Sequence, residues 1–197
     1  MKKLPVFELH ISEDETGSNE VNFVSLVTRP AIQRDFLAFS DKQHFAIQDE
    51  DQQIVTGPAM VPEEPIYRKD KTGEYYVVFS ADTIGKIAYR FFKKGYQGNI
   101  NVQHEQGSQV EDSVFFESWV VDRAKGKQPL IGFEDMPDGT WFLTAKINSA
   151  VAWQKIKSGE YKGFSVEGLF DFQPIAEIDP EHAIMQELKE ILDKVAE

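Results

Sequence analysis

The chain contains no cysteine. That excludes disulfides, thiolate nucleophiles and cysteine-ligated zinc together. Histidine is scarce: His10, His44, His104 and His182 lie far apart in sequence, so an all-histidine metal site would need tertiary assembly. No apolar run approaches the ~20 residues of a membrane-spanning helix. The opening MKKLPVFELHIS has two lysines but lacks the apolar core and cleavage site of a signal peptide. A cytosolic protein with no membrane partner is expected. Positive charge is also in deficit, with 21 Lys and Arg against 33 Asp and Glu and a net charge of −12. Such a surface repels phosphates, and the short basic clusters at 68–71 and 91–94 read as solvated faces, so no nucleic-acid partner is expected.

What is present is a capacity to pack. Hydrophobic residues make up 41% of the 197, including 15 Phe and 3 Trp, which suits one globular domain. Alternation or β-branched runs predict strands over 4–11, 21–27, 44–48, 53–61, 75–80, 98–104, 114–122 and 140–147, and again around Ser165. Segment 62–74 reads as the loop of a long hairpin. In SADTIGKIAYRFFKKG, Ile84, Ile87, Ala88, Phe91 and Phe92 recur at helical spacing. Ser80 can cap this helix and Gly95 can end it. A shorter amphipathic helix spans 149–159, closed by a glycine. Beyond a Pro-containing linker, residues 180–197 form a third, charged amphipathic helix, either docked on the domain or starting an interaction tail. The expected organisation is a domain over 1–174 and a linker plus helix over 175–197. The expected fold class is α+β: a β-rich, mostly antiparallel barrel or sandwich of about eight strands with about three helices.

Three residues could carry chemistry. His104 ends strand 98–104, where alternation puts it with Ile100 and Val102 on an apolar face, opposite Asn99, Asn101 and Gln103. Glu117 lies in VFFESWVV, both of whose faces look buried. A buried carboxylate needs a partner, either a histidine on a neighbouring strand or a Lys or Arg from elsewhere. Ser165 lies in GFSVEG, on one face with Gly163, Glu167 and Leu169. Its second glycine falls too late for the G-x-S-x-G nucleophile elbow, and the βαβ alternation of α/β-hydrolases is missing. Nucleophilic chemistry at Ser165 would need an imidazole within hydrogen-bond reach and a third group to orient it. Spacing alone does not show that these residue types meet.

As a set, NVQHEQG, FFESWVVD and WQKIKSGEYKGFSVEG resemble the XkdF-like phage serine proteases. These are relatives of the prohead (procapsid maturation) proteases of tailed phages, which share a fold with the herpesvirus assemblins. The family stretch W-x-x-I-K-x-G-x-x-x-G-[FY]-S is matched by Trp153, Ile156, Lys157, Gly159, Gly163, Phe164 and Ser165. VSLVTRPAIQRDFLAF, 24–39, matches the V-S-x-V-x-x-P-A opening of these proteins. The resemblance spans roughly residues 20–172. In ordinary prohead proteases a similar E-V-S-L-V strand follows the serine; here it comes first, which suggests a circular permutation with strand 21–27 in that late slot. Phe23 stands where that motif has its acid, so Glu117 becomes the expected replacement, with Glu20 behind it.

The resemblance implies a prohead protease-like barrel and a serine endopeptidase with Ser165 as nucleophile, His104 as general base and Glu117 as the orienting acid. It implies cleavage of phage scaffold, major capsid protein and the protease itself, self-association, and action in the host cytoplasm inside the assembling procapsid. Serine acyl transfer needs no cofactor, and none is expected. Two other readings stay open at this point. One is a non-catalytic capsid-assembly protein on the same fold, favoured by Phe23. The other is an unrelated binding module that uses the hairpin at 62–76.

Overall fold

The computed structural model describes residues 3–14, 17–29 and 46–178. Among these, the strands are β1 (Leu4–His10), β2 (Val21–Val27), β3 (Ala46–Asp49), β4 (Ile54–Met60), β5 (Ile66–Asp70), β6 (Gly73–Val78), β7 (Ile100–Val102), β8 (Val114–Val120), β9 (Trp141–Lys146), β10 (Gly163–Gly168) and β11 (Asp171–Ile178). Two α-helices interrupt them, α1 (Ala81–Lys93) and α2 (Ala150–Lys157). The helix expected at 180–197 lies outside the described residues, as do His44 and His182.

The strands form three sheets, in the orders β11-β1-β6-β5, β10-β2-β7 and β3-β4-β9-β8. The mixed α+β class stands as expected, but the sheets do not close into a barrel. Each keeps two edge strands, and two pairings, β1 with β6 and β2 with β7, are parallel. Segment 62–74 is also more ordered than a loop. It contains β5 and the start of β6, paired antiparallel from Ile66↔Val77 to Asp70↔Gly73. Strand β11 pairs antiparallel with β1 out to Leu4↔Ile178, so regular structure crosses the expected domain boundary at 174/175.

The helices form where their caps and apolar stripes dictate. Ser80 accepts a hydrogen bond from the Thr83 N–H, and Ser149 accepts from the Ala152 N–H. Gly95 and Gly159 take the left-handed backbone that follows each helix. Helix α1 buries Ile84, Ile87 and Phe91. Phe91 meets Trp141 and Phe115 edge-on at centroid distances of 5.6 and 6.2 Å, and Phe115 meets Phe164 at 5.3 Å. Phe164 thus ties β10 into the principal core, and alternation turns its neighbour Ser165 to the opposite face.

The motif around Ser165 is therefore first a packing device. Trp153 and Ile156 are the buried face of α2, Gly159 lets the chain leave the helix, and β10 then runs antiparallel to β2. Gly168 has its own constraint: a Cβ there would stand 2.3 Å from the Glu20 carbonyl oxygen. Overpacking of this kind costs about 1–3 kcal/mol. Gly168→Ala is expected to lower the urea midpoint accordingly; an unchanged midpoint would show that the β10–β2 approach is not tight.

Candidate active site

Three strands build the site side by side. The β10–β2–β7 sheet places Ser165 opposite Ser25, and Ser25 beside Asn101. All three are buried, at 5%, 0% and 6% exposure. Such a row of polar side chains is costly unless its hydrogen bonds are made. Here they are, and His104 joins the row.

His104 does not follow the alternation of its strand. β7 ends at Val102, and both Gln103 and His104 adopt left-handed backbone, with φ of 54° and 59°. The turn carries the imidazole onto the polar face shared by Asn101 and Ser165, away from the apolar face expected for it. Left-handed non-glycine residues persist where their surroundings over-determine them. The Gln103 N–H donates to the Leu26 carbonyl at 3.0 Å. The Gln103 amide accepts from the Thr28 N–H at 3.1 Å and donates to the Thr28 hydroxyl at 2.9 Å. Further along, the Val110 N–H closes the loop onto the Ile100 carbonyl at 2.8 Å.

The result is a connected set of contacts. His104 Nε2 lies 3.1 Å from Ser165 Oγ. His104 Nδ1 lies 2.8 Å from Ser25 Oγ and 3.4 Å from Glu167 Oε2. Ser25 Oγ donates to Asn101 Oδ1, and Asn101 Nδ2 donates to Glu167 Oε2 at 2.8 Å.

The directions of these bonds follow from donor and acceptor inventory. An ionised carboxylate only accepts, so Glu167 draws the Asn101 NH₂ group toward itself and leaves Oδ1 facing Ser25. Ser25 spends its one hydroxyl proton on that oxygen and must accept from His104 Nδ1–H. With its proton on Nδ1, the imidazole presents a lone pair on Nε2 to the Ser165 hydroxyl. The chain Glu167–Asn101–Ser25 therefore selects the tautomer that a general base needs.

Glu117 is elsewhere. It stands exposed on β8, in a different sheet from Ser165 and His104, and no hydrogen bond joins it to either. The expected burial fails because a bulge lies between Phe115 and Glu117. The extra residue breaks the two-residue period, and β8 is an edge strand. Phe115 is buried, but Phe116, Glu117 and Ser118 are all exposed.

Glu20 is also committed elsewhere, to Lys94 and, at 2.8 Å, to the Tyr96 hydroxyl. Burial raises its pKa, but the bonds from Lys94 and Tyr96 and the charges of Lys94 and Arg90 outweigh that and hold it below the ordinary glutamate value. A depressed carboxylate pKa adds stability above the unfolded-state value, and that stability is lost as pH falls through the folded-state value. Glu20→Gln is expected to lower the urea midpoint at pH 7 and to narrow its gap from wild type below pH 4. A gap independent of pH would remove this ion pair from the account.

Ser165 and His104 are the residues the sequence singles out; Glu167, Ser25 and Asn101 are not, the acid expected there being Glu117 with Glu20 behind it. The signal for Ser25 and Asn101 is a register: Ser165, Ser25 and Asn101 form one rung across three strands that are distant in sequence. Among the described residues no group of three or more His, Asp or Glu is placed to hold a metal ion.

A serine hydroxyl in contact with an imidazole whose other nitrogen is held by a polar chain, on a strand-rich α+β scaffold, is an arrangement a serine hydrolase would require. Residues 42–173, two-thirds of the chain, match the family described as "Putative phage serine protease XkdF", and the chain belongs to that family. The match takes in β7, His104 and β10 but not β2 with Ser25. No curated protein and no solved structure matches the chain.

Proposed function

We propose that this protein is a serine endopeptidase acting in phage procapsid maturation, with Ser165 as nucleophile and His104 as general base. The observation that carries the proposal is the 3.1 Å contact between Ser165 Oγ and His104 Nε2, with Nδ1 held 2.8 Å from Ser25 Oγ. That is the separation general-base catalysis requires.

In acylation, Ser165 Oγ bonds to the scissile carbonyl carbon while its proton passes to His104 Nε2. The imidazolium then gives that proton to the amine as the C–N bond breaks. Water repeats the sequence on the acyl-enzyme and regenerates the serine hydroxyl. While the ring is cationic, Ser25 Oγ and, at 3.4 Å, Glu167 Oε2 face Nδ1–H. The carboxylate lowers the energy of that charge.

Glu167 also bears on the acid that Phe23 displaces. In the β10–β2 ladder, Glu167 is the cross-strand partner of Phe23. A carboxylate expected on β2 is thus supplied from the neighbouring strand at the same rung. The placement of β2 between β10 and β7 supports the reading of β2 as a permuted strand. The substrates proposed are scaffold, the major capsid protein and the protease itself, inside the assembling shell in the host cytoplasm. No helix among the described residues is long and apolar enough to cross a membrane.

One observation favours a second reading, a capsid-assembly protein without activity: the group nearest Nδ1 is a neutral hydroxyl, with the carboxylate further off. The test is co-production with the scaffold and capsid proteins of the same phage, followed by intact mass measurement. Shortened scaffold in wild type and unshortened scaffold with Ser165→Ala supports the endopeptidase. Full-length partners in both, with shells still assembled, would support the second reading.

A further inference from the structure

Two depressions lie near the His104 loop. The larger, about 440 Å³, is open and lies between that loop and α2, lined by Ser108, Gln109, Glu111 and Asp112 among others; none of the reacting groups lines it. The smaller, about 280 Å³, has His104 and Glu167 in its wall. Apart from those two and Arg68, its lining is apolar apart from Gly168 and the Tyr75 hydroxyl, with residues from β1, β4, β5, β6 and the β10–β11 segment. It falls below the ~300–1,000 Å³ usual for small-molecule and cofactor sites, a size suited to one or two side chains. Phe172 stands at its rim, about half exposed, edge-on to Phe7 at 5.9 Å and to Tyr75 at 6.1 Å.

We infer that this cleft is the specificity pocket of the enzyme, and that it selects peptide substrates carrying a large apolar side chain, such as Leu, Met or Phe, close to the scissile bond. The inference rests on the serine endopeptidase reading and deepens it. Its warrant is continuity: Ser165 does not line the cleft, but His104, whose Nε2 is 3.1 Å from the Ser165 hydroxyl, and Glu167 do, so the cleft adjoins the place where a scissile carbonyl would meet Ser165. Met60, Ile66, Val77, Phe79 and Phe170 offer that side chain dispersion contacts and removal from water. Charge and burial together set the exclusion. The Arg68 guanidinium, one Nη of which donates to the Tyr67 carbonyl at 3.4 Å, repels a substrate Lys or Arg. Glu167 in the same wall offsets that charge, so a substrate Lys or Arg gains no net attraction there and loses its hydration on entering the apolar cleft, while Gly, Ala or Ser forgoes the burial.

The experiment varies the peptide first and the protein second. A peptide set identical except at one position is offered to wild type, and kcat/KM is compared for Leu, Met and Phe against Ala, Ser, Asp and Lys. The same set is measured for binding to Ser165→Ala, which does not need the chemistry to work. Leu, Met and Phe are expected to exceed Ala by about 10- to 100-fold in both assays, with Lys and Asp below Ala. Phe172→Ala, with its fold checked by the thermal midpoint because Phe172 also packs on Phe7 and Tyr75, is expected to shrink this ratio several-fold, and Ala59→Leu to shift the optimum to smaller residues. Cleavage without discrimination, or best with Lys or Asp, would overturn the pocket while leaving the endopeptidase standing. Apolar-selective binding to Ser165→Ala with no cleavage by wild type would keep the pocket and overturn the endopeptidase. Neither binding selectivity nor cleavage overturns both.

Discussion

Ser165→Ala is expected to reduce peptide-bond hydrolysis by about 10⁴-fold or more, with the fold intact. Ser165 is buried, and its hydroxyl meets the imidazole at 3.1 Å. Removing one oxygen opens a cavity smaller than a water molecule's share of the liquid, so little stability is at stake. His104→Ala is expected to lose nearly as much activity, and the double variant no more than either single one. A nucleophile and its base act as one unit, and their losses do not add. Steady-state kinetics on a peptide substrate measures all three. Multiplicative losses in the double variant would mean that the two residues contribute independently, and the proton-transfer pair would be wrong.

The second large effect concerns a positioning residue. Ser25→Ala removes the nearest acceptor of His104 Nδ1–H and the donor to Asn101 Oδ1. With nothing fixing the tautomer, a fraction of the imidazole presents Nε2–H to Ser165 and cannot take its proton. General-base assistance is worth about 10²–10⁴-fold. Glu167, at 3.4 Å from Nδ1, can recover part of this, so a fall of about 10²-fold in kcat with little change in KM is expected. Glu167→Gln removes the group that sets the direction of the whole chain, since an amide can face Asn101 either way. The double variant Ser25→Ala/Glu167→Gln is expected to fall further than either alone, because each covers for the other at the same nitrogen. A merely structural role for Ser25 predicts a lower Tm with unchanged kcat. It also predicts no coupling to Glu167, and either result would remove the relay from the mechanism.

How much of this was legible follows from where each signal resides. The helices were readable because caps and apolar stripes are local: Ser80 with Ile84, Ile87 and Phe91 specify α1 within fourteen residues. Strand β2 was readable to its last residue. Strand β5 was not, because Tyr67, Arg68, Lys69 and Asp70 are all exposed and show no buried alternation. It is held by its pairing with β6 and by side-chain contacts such as Lys69 and Tyr67 to Glu74. The site divides the same way. Ser165 and His104 stood out as residue types in a resembling motif. His104's direction did not, because two left-handed residues after Val102 reverse what alternation implies. Glu117 misled for a related reason: one extra residue at Phe116 undoes a pattern read with a fixed period. Ser25 and Asn101 depend on which strands become neighbours, and β10, β2 and β7 are joined by register, not by proximity in the chain.

The claim on which the rest depends is that His104 activates Ser165. Labelling with a fluorophosphonate, read by intact mass and peptide mapping, tests it without knowledge of the natural substrate. The expected result is a single adduct on Ser165 of the folded wild-type protein, formed at least about 100-fold more slowly in His104→Ala and absent from the denatured chain. Equal labelling of wild type and His104→Ala, an adduct on another residue, or no adduct at all on the folded protein would contradict it.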